Sequence, residues 1–305
     1  MSTPTAEAPG LAPACEPATV VRPSGPADGS EAATGIRTTL AERLQSGDVD
    51  LPQLPEAAAE VLAATQDVDA DARRLVALLD RDPALASHLL RVANAPAYAP
   101  RSAIVSLRQA VTHLGVRTVG ELALAASLRS GLVVDARHAG DLRAIWAHAA
   151  ASGGFAREAA RLLRAPVEAA FLCGLLHTIG KPVVLRASLE LAKEAGVALP
   201  PDDLRALVDE LHAPAGRLLA TSWKLPAAVV AAIATCAAYQ RTDEPEPMIT
   251  ALAARLATFL LGPGLEADGL LDHPVFADLN LYPEDVAGLV AKADAVRGLA
   301  DACAG

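Results

Sequence analysis

The segment Phe171-Leu172-Cys173-Gly174-Leu175-Leu176-His177-Thr178-Ile179-Gly180-Lys181 decides how this chain folds. Its first half is apolar on nearly every side. That pattern belongs to a helix buried at the centre of a helical protein, since a surface helix keeps one polar face. The spacing predicts a helix over residues 167–179 with Phe171, Leu172, Leu175 and Leu176 in the core. Gly180 and Pro182 end or kink it.

Helical patterns continue in both directions. A helix carrying Trp146 and His148 is expected from about Leu142 to Leu163. Others are expected over 186–195, 202–222, 226–239, 247–261 and 284–301. Upstream, Asp82 caps a helix with Pro83 in its first turn, and Leu85, Leu89 and Val92 repeat on one face. Ser106 and Gln109 have capping-box spacing, Leu107, Ala110, Val111 and Leu114 form the buried stripe, and Gly115 closes the end. A second helix follows from about Arg117 to Leu128. Asn94 is expected to close its helix as a left-handed cap.

Composition agrees with these helices. Hydrophobic residues make up 52% of the 305 and aromatics 3%. Ala and Leu, strong helix formers, dominate. Strand-like alternation of β-branched and aromatic residues is missing from the long segments. The fold class read here is all-α, in a chain long enough for one large or two modest domains. The formal net charge is −10 and the pI about 5.2. Phosphate neutralisation normally needs a basic footprint, so nucleic acid is not an expected partner.

The four cysteines, Cys15, Cys173, Cys236 and Cys303, form no CxxC pair. That removes the usual zinc-finger and redox motifs, and a reducing cytoplasm is the simplest compartment. The start, Met1-Ser-Thr-Pro, has no basic region followed by an apolar one, as a secretory leader would. The longest uncharged stretch, Leu225 to Gln240, falls short of a bilayer span of about 20 residues and carries Pro226 and Thr235. No membrane association is expected. Residues 1–35 are rich in Pro and Ala, with too few large apolar groups to offset ordering, so a disordered tail is expected there.

Leu51-Pro-Gln-Leu-Pro55, Asp82-Pro-Ala-Leu85, Ala93-Asn94 followed by Tyr98, and Ser106-Leu-Arg-Gln-Ala through Leu114-Gly115 resemble, in order and spacing, the N-terminal half of the HDOD family. Gly174-Leu-Leu-His177-Thr178-Ile-Gly-Lys181 is similar to the "GLLHDIGK" segment of HD-domain metal phosphohydrolases. His212 with Gly216, and Trp223 with Leu225-Pro226, look like a later stretch of the same superfamily. The likeness runs over about residues 50–262. It implies a two-lobed helical bundle, an N-terminal lobe packed on an HD-like lobe. The domain would cover 36–265, with lobes of about 36–135 and 141–265. Residues 266–305 would be a C-terminal helical extension.

By the same resemblance, His148, His177 and His212 occupy metal-ligand positions of an active relative. Thr178 replaces the Asp of the His-Asp pair, Cys236-Ala237 falls where His-His is usual, and Arg255 stands near a late Asp. Carboxylates offset cation charge and help bind the attacking water, so these replacements point to a site without metal or catalysis. Three imidazoles and a water remain a valid zinc set. A His on a helix face is, however, more often a hydrogen-bonded structural residue than a ligand. No cofactor is therefore expected, and a divalent metal is the alternative. Lys181 would meet a phosphate in an active relative, and otherwise is a solvated helix-end cation.

Among other candidates, Arg157, Arg161 and Arg164 share helical spacing and offer either an anion contact or a solvated face. Asp67, Asp69 and Asp71 alternate like a calcium loop, but Ala72 and Leu78 stand where an EF-hand needs Gly and Glu. Trp146 and Trp223 are expected to anchor the core beside the histidines. The expected function is a cytoplasmic, non-catalytic regulatory or scaffolding module of bacterial signal transduction. It would bind other signalling proteins, with a ligand in the groove between lobes. A homo-oligomer is compatible with the sequence. The alternative is a metal-dependent phosphohydrolase or phosphodiesterase acting on a nucleotide or cyclic dinucleotide.

Overall fold

The computed structural model describes residues 28–66, 72–131, 136–262 and 270–304. Fifteen helices are described and, among the described residues, no strand. They are α1 (Asp28–Ser46), α2 (Glu56–Gln66), α3 (Ala72–Leu79), α4 (Pro83–Ala93), α5 (Leu107–Leu114), α6 (Val116–Gly131), α7 (Ala139–Leu163) and α8 (Val167–Leu176). There follow α9 (Gly180–Glu194), α10 (Pro201–Ser222), α11 (Ala227–Ala237), α12 (Pro245–Leu261), α13 (Pro274–Asp278), α14 (Pro283–Val290) and α15 (Ala293–Ala304). Short 3-10 turns lie at Pro96–Tyr98 and Ala136–His138. The aspartates at 67, 69 and 71 fall outside the described residues.

Most helices follow the apolar spacing. The expected 167–179 helix is two elements. α8 stops at Leu176, three residues turn, and α9 starts at Gly180, with Pro182 in its first turn where a missing N–H costs nothing. The single helix expected over 284–301 is likewise two, α14 and α15. The stretch Val167–Glu194 is long and apolar enough to cross a membrane by length and composition alone, and 72% of its most apolar window is buried in the fold.

The expected caps are present in detail. Asp82 accepts the N–H groups of Ala84 and Leu85, each at 3.0 Å. Ser106 accepts from Gln109, and the Gln109 side chain returns to Val105 rather than to Ser106 itself. Gly115 takes φ +87°, a conformation only glycine enters freely.

Asn94 corrects its expectation. Its backbone is right-handed (φ −88°), and its side chain does the work instead. Nδ2 donates to Leu90 O at 2.7 Å and Ile104 O at 2.8 Å, while Oδ1 accepts from Ile104 N at 2.9 Å. The end of α4 is thereby tied to the strand-like approach to α5. Asn94→Ala should lower stability by about 1–2 kcal/mol, because Ile104 loses both partners. Thermal unfolding of the variant checks this, and an unchanged midpoint would refute it.

The first lobe packs α2, α3, α4 and α5 around α6. The second centres on α7, flanked by α8 and α12, with α9, α10 and α11 beyond. Two boundaries differ from expectation. Residues 28–35 are helical, not tail, because no proline interrupts the chain between Pro26 and Pro52. Ala33, Ile36, Leu40 and Leu44 then form a buried stripe along α1. That stripe lies on α9 and α10, so α1 belongs to the second lobe, and Arg37 pairs with Glu210 there.

The C-terminal helix is also no appendage. α15 buries Val296, Leu299 and Ala300 against α7, and it also meets α4 and the 96–98 turn. It is wedged where the two lobes join. Gly154 makes this approach feasible, since a Cβ there would sit 3.3 Å from both Leu299 and Val296 side chains.

The lobes are stapled at two further places. The buried Arg157 guanidinium lies 4.5 Å from the Tyr98 ring centroid, a cation–π contact between α7 and the first lobe. Trp223 donates its indole N–H to Pro52 O at 2.9 Å, and Arg186 donates to Asp50 O at 2.8 Å. The Leu51–Pro55 motif is therefore held by the second lobe.

Candidate functional site

Four glycines bring the site together. A Cβ on Gly174 would fall 2.8 Å from Ser152 O and 2.9 Å from Gly153 Cα, so α7 and α8 touch backbone to backbone. A Cβ on Gly180 would collide with His212 O and approach Gly216 Cα at 2.9 Å, so α9 touches α10 in the same way. The histidines of α7, α10 and the turn after α8 thus converge. His148 and His177 have ring centroids 5.5 Å apart. With His212, both line one cavity of about 260 Å³.

Hydrogen bonds fix two tautomers. His177 Nδ1 lies 2.7 Å from Gly174 O, so Nδ1 carries the proton and Nε2 keeps its lone pair. His148 Nε2 lies 3.1 Å from the Thr258 hydroxyl. That hydroxyl already donates to Ala254 O at 2.9 Å, so the imidazole is the donor. All three rings are neutral at physiological pH. Burial, then the Lys181 charge, holds His148 and His212 at about 4. Burial, then His148, holds His177 well below the ordinary range.

The rest of the wall is poor in metal donors. Thr178, Lys181, Thr235, Cys236, Tyr239, Arg255 and a fourth histidine, His273, line the same cavity, and no described lining residue is acidic. His273 Nδ1 accepts the N–H of Val275 at 3.2 Å, so that lone pair is taken. Burial pushes the Cys236 thiol far up, away from the thiolate that binds metal. His148 spends its Nε2–H on Thr258. Among the described residues, no group of three or more His, Cys, Asp or Glu is placed to hold a metal ion. Three imidazoles alone can hold zinc, but these are not placed to converge on one ion, and Lys181 and Arg255 share the wall, so the residues do not fit a divalent cation.

Several expected site residues stand elsewhere. Arg157 is neither an anion contact nor a solvated residue. It is buried over Tyr98 and lies 3.4 Å from Glu158. Arg161 pairs with Glu158 at 2.7 Å, and Arg164 is the left-handed residue that ends α7 (φ 54°). None lines the cavity. Trp146 and Trp223 are buried core residues and do not line it either. Lys181 does, but it is paired rather than solvated, 2.7 Å from Asp209.

The inter-lobe groove expected for a ligand is occupied by α15 and the Arg157–Tyr98 stack. The cavities beside the histidines are lined from residues 137–273 alone. Sequence reading missed Asp209, Thr258 and the Arg137–His138 turn. Asp209 could have been found, since it precedes His212 by three residues on one helical face. Thr258 could not, because its partner His148 lies 110 positions away.

The HDOD domain family matches residues 51–239. A protein of Treponema pallidum (strain Nichols) of uncharacterised function is 28% identical over 205 residues, 65% of this chain. The chain spans only 39% of that protein's length. Among solved structures, a protein of Shewanella amazonensis SB2B, provisionally assigned as a metal-dependent phosphohydrolase, superposes with a TM-score of 0.72 at 20% identity. That match covers 89% of this chain and 99% of the other. An HDOD domain protein of unknown function from Geobacter sulfurreducens gives 0.65 at 22% identity, covering 88% and 98%. At these identities the likeness concerns the fold.

Proposed function

This chain belongs to the HDOD domain family, and on that premise we propose that it is a non-catalytic regulatory module of signal transduction. It acts in the cytoplasm by presenting helical surfaces to other signalling proteins, either singly or as a homo-oligomer. The observation that carries this reading is the cavity wall. Thr178 stands beside His177 where a carboxylate would be needed, and Lys181 and Arg255 supply positive charge in its place. A metal-bound hydroxide has no carboxylate counter-charge on that wall. With a net charge of −10, the chain also lacks the basic balance that nucleic-acid binding favours.

One observation favours the alternative, a metal-dependent phosphohydrolase. His177 donates through Nδ1 and leaves Nε2 open, the arrangement of a metal-ligating imidazole. Elemental analysis with a phosphodiester-cleavage assay separates the two readings. We expect far less than one transition metal per chain and no cleavage of a cyclic dinucleotide. A stoichiometric metal, lost together with cleavage activity in His177→Ala, would overturn the regulatory reading.

A further inference from the structure

The first lobe carries a charge opposite to that of the whole chain. Residues 72–131 hold eight arginines, no lysine and three acids, a formal charge of +5 within a chain of −10. One of the three acids, Glu121, is buried away from the surface. Arg91 in the last turn of α4, Arg101 in the following loop and Arg108 in the first turn of α5 are all exposed. None of them forms an ion pair with a described residue, whereas Arg37, Arg186 and Arg297, outside this lobe, each find a carboxylate.

The fold brings these three arginines together. Asn94 ties the end of α4 to Ile104, and each arginine stands within four residues of one end of that tie. The loop between the helices is fixed at three points by side chains. His113 donates its Nε2–H to Tyr98 O at 2.9 Å, Asn94 Oδ1 accepts from Ile104 N at 2.9 Å, and Gln109 Oε1 accepts from Val105 N at 2.9 Å. A loop held in this way presents its side chains with little ordering left to lose on binding. Ile104 turns inward at 8% exposure. Val105 beside it turns out at 72%, the most exposed large apolar side chain among the described residues, and it stands among the unpaired cations.

We propose that this α4–α5 corner is a docking surface for an acidic amphipathic helix of a partner protein. Carboxylates three and four residues apart on one face of that helix meet Arg91, Arg101 and Arg108, whose guanidiniums hold a carboxylate through two N–H groups. An apolar side chain on the same face covers Val105. This inference rests on the regulatory reading, for which it names the surface and the chemistry of the partner. Charge and composition favour a protein segment over a nucleic acid. A phosphate strand would run off the patch onto a chain that is acidic outside it. Single-stranded bases would also need aromatic faces, and Tyr98, the one aromatic residue within 72–131, is already stacked by Arg157.

The test is fluorescence anisotropy of a labelled synthetic helix of about 14 residues, built from glutamate, leucine and alanine, titrated with the full chain. The peptide should bind, and less tightly as salt rises. Arg91→Ala, Arg101→Ala and Arg108→Ala combined should weaken binding by about tenfold or more. Val105→Ser should weaken it by about threefold. Arg217→Ala removes an exposed cation of α10 outside the patch and should leave binding unchanged. All five positions are exposed, so each variant should keep the melting curve of the unaltered protein. No binding, binding as tight in the triple variant, or an equal loss in Arg217→Ala would overturn the inference and leave the regulatory reading to its own test by elemental analysis. Tighter binding of an oligothymidylate of equal charge, lost in the triple variant, would overturn it in favour of a nucleic acid.

Discussion

Gly180→Ala is expected to cost about 3 kcal/mol or more and to lower the thermal midpoint by roughly 5–8 °C. Two effects oppose each other at this position. Alanine is the better helix former, which favours the variant by about 1 kcal/mol within α9. The added Cβ, however, collides with His212 O and comes within 2.9 Å of Gly216 Cα. Those are backbone atoms of α10 and cannot rotate away. The two helices must part, and that loosens packing along their whole contact. The second effect is larger, so the sign is destabilising. Separation should also pull Lys181 away from Asp209. A midpoint equal to or above that of the unaltered protein would show that α9 and α10 do not pack backbone to backbone.

Glu121→Gln is expected to act in the opposite direction, and more strongly as pH rises. Glu121 is 6% exposed at the α6–α8 contact between lobes, and one carboxyl oxygen has no partner. Burial first, then the neighbouring Glu168, pushes it up to about 9 against the partial relief of Arg117. The folded state therefore holds a proton that the unfolded chain releases near pH 4.5. Stability from this group is full below that value and is lost progressively as pH climbs towards 9. From pH 5 to 8 the loss is on the order of 3–4 kcal/mol. Glutamine keeps the shape and cannot ionise. Chemical unfolding at pH 5, 6.5 and 8 should show the unaltered protein falling behind the variant. Parallel pH profiles would remove the argument.

Much of the fold was legible because helices announce themselves locally. Asp82, Pro83, Ser106 and Gly115 act within four residues of their own position, so the caps came out as read. What failed involved partners distant in sequence. The resemblance places residues from about 36 in the first lobe, whereas the stripe of Ile36, Leu40 and Leu44 along α1 packs on α9 and α10. Arg157, Arg161 and Arg164 repeat every three or four residues, and that period says they share a face without saying what the face meets. At Arg157 it meets Tyr98, whereas Arg161 is exposed and pairs within its own helix with Glu158, the solvated face that was the other expectation.

The candidate site divides in the same way. By itself the sequence determined, through residue type and spacing, that this is an all-α protein. Its resemblance to HD-domain phosphohydrolases implied that His148, His177 and His212 are of one site and that Thr178 denies it a carboxylate. Only the tertiary structure decided that Gly174 lets α7 touch α8 and Gly180 lets α9 touch α10, that His148 donates to Thr258, and that Lys181 is held by Asp209. It also placed the cavities inside the second lobe and filled the junction between lobes with α15. The reason is physical. A period fixes which face of a helix is apolar, but the hydrogen bonds, charges and close approaches that give a cavity its chemistry are made between elements whose relative placement no local pattern records.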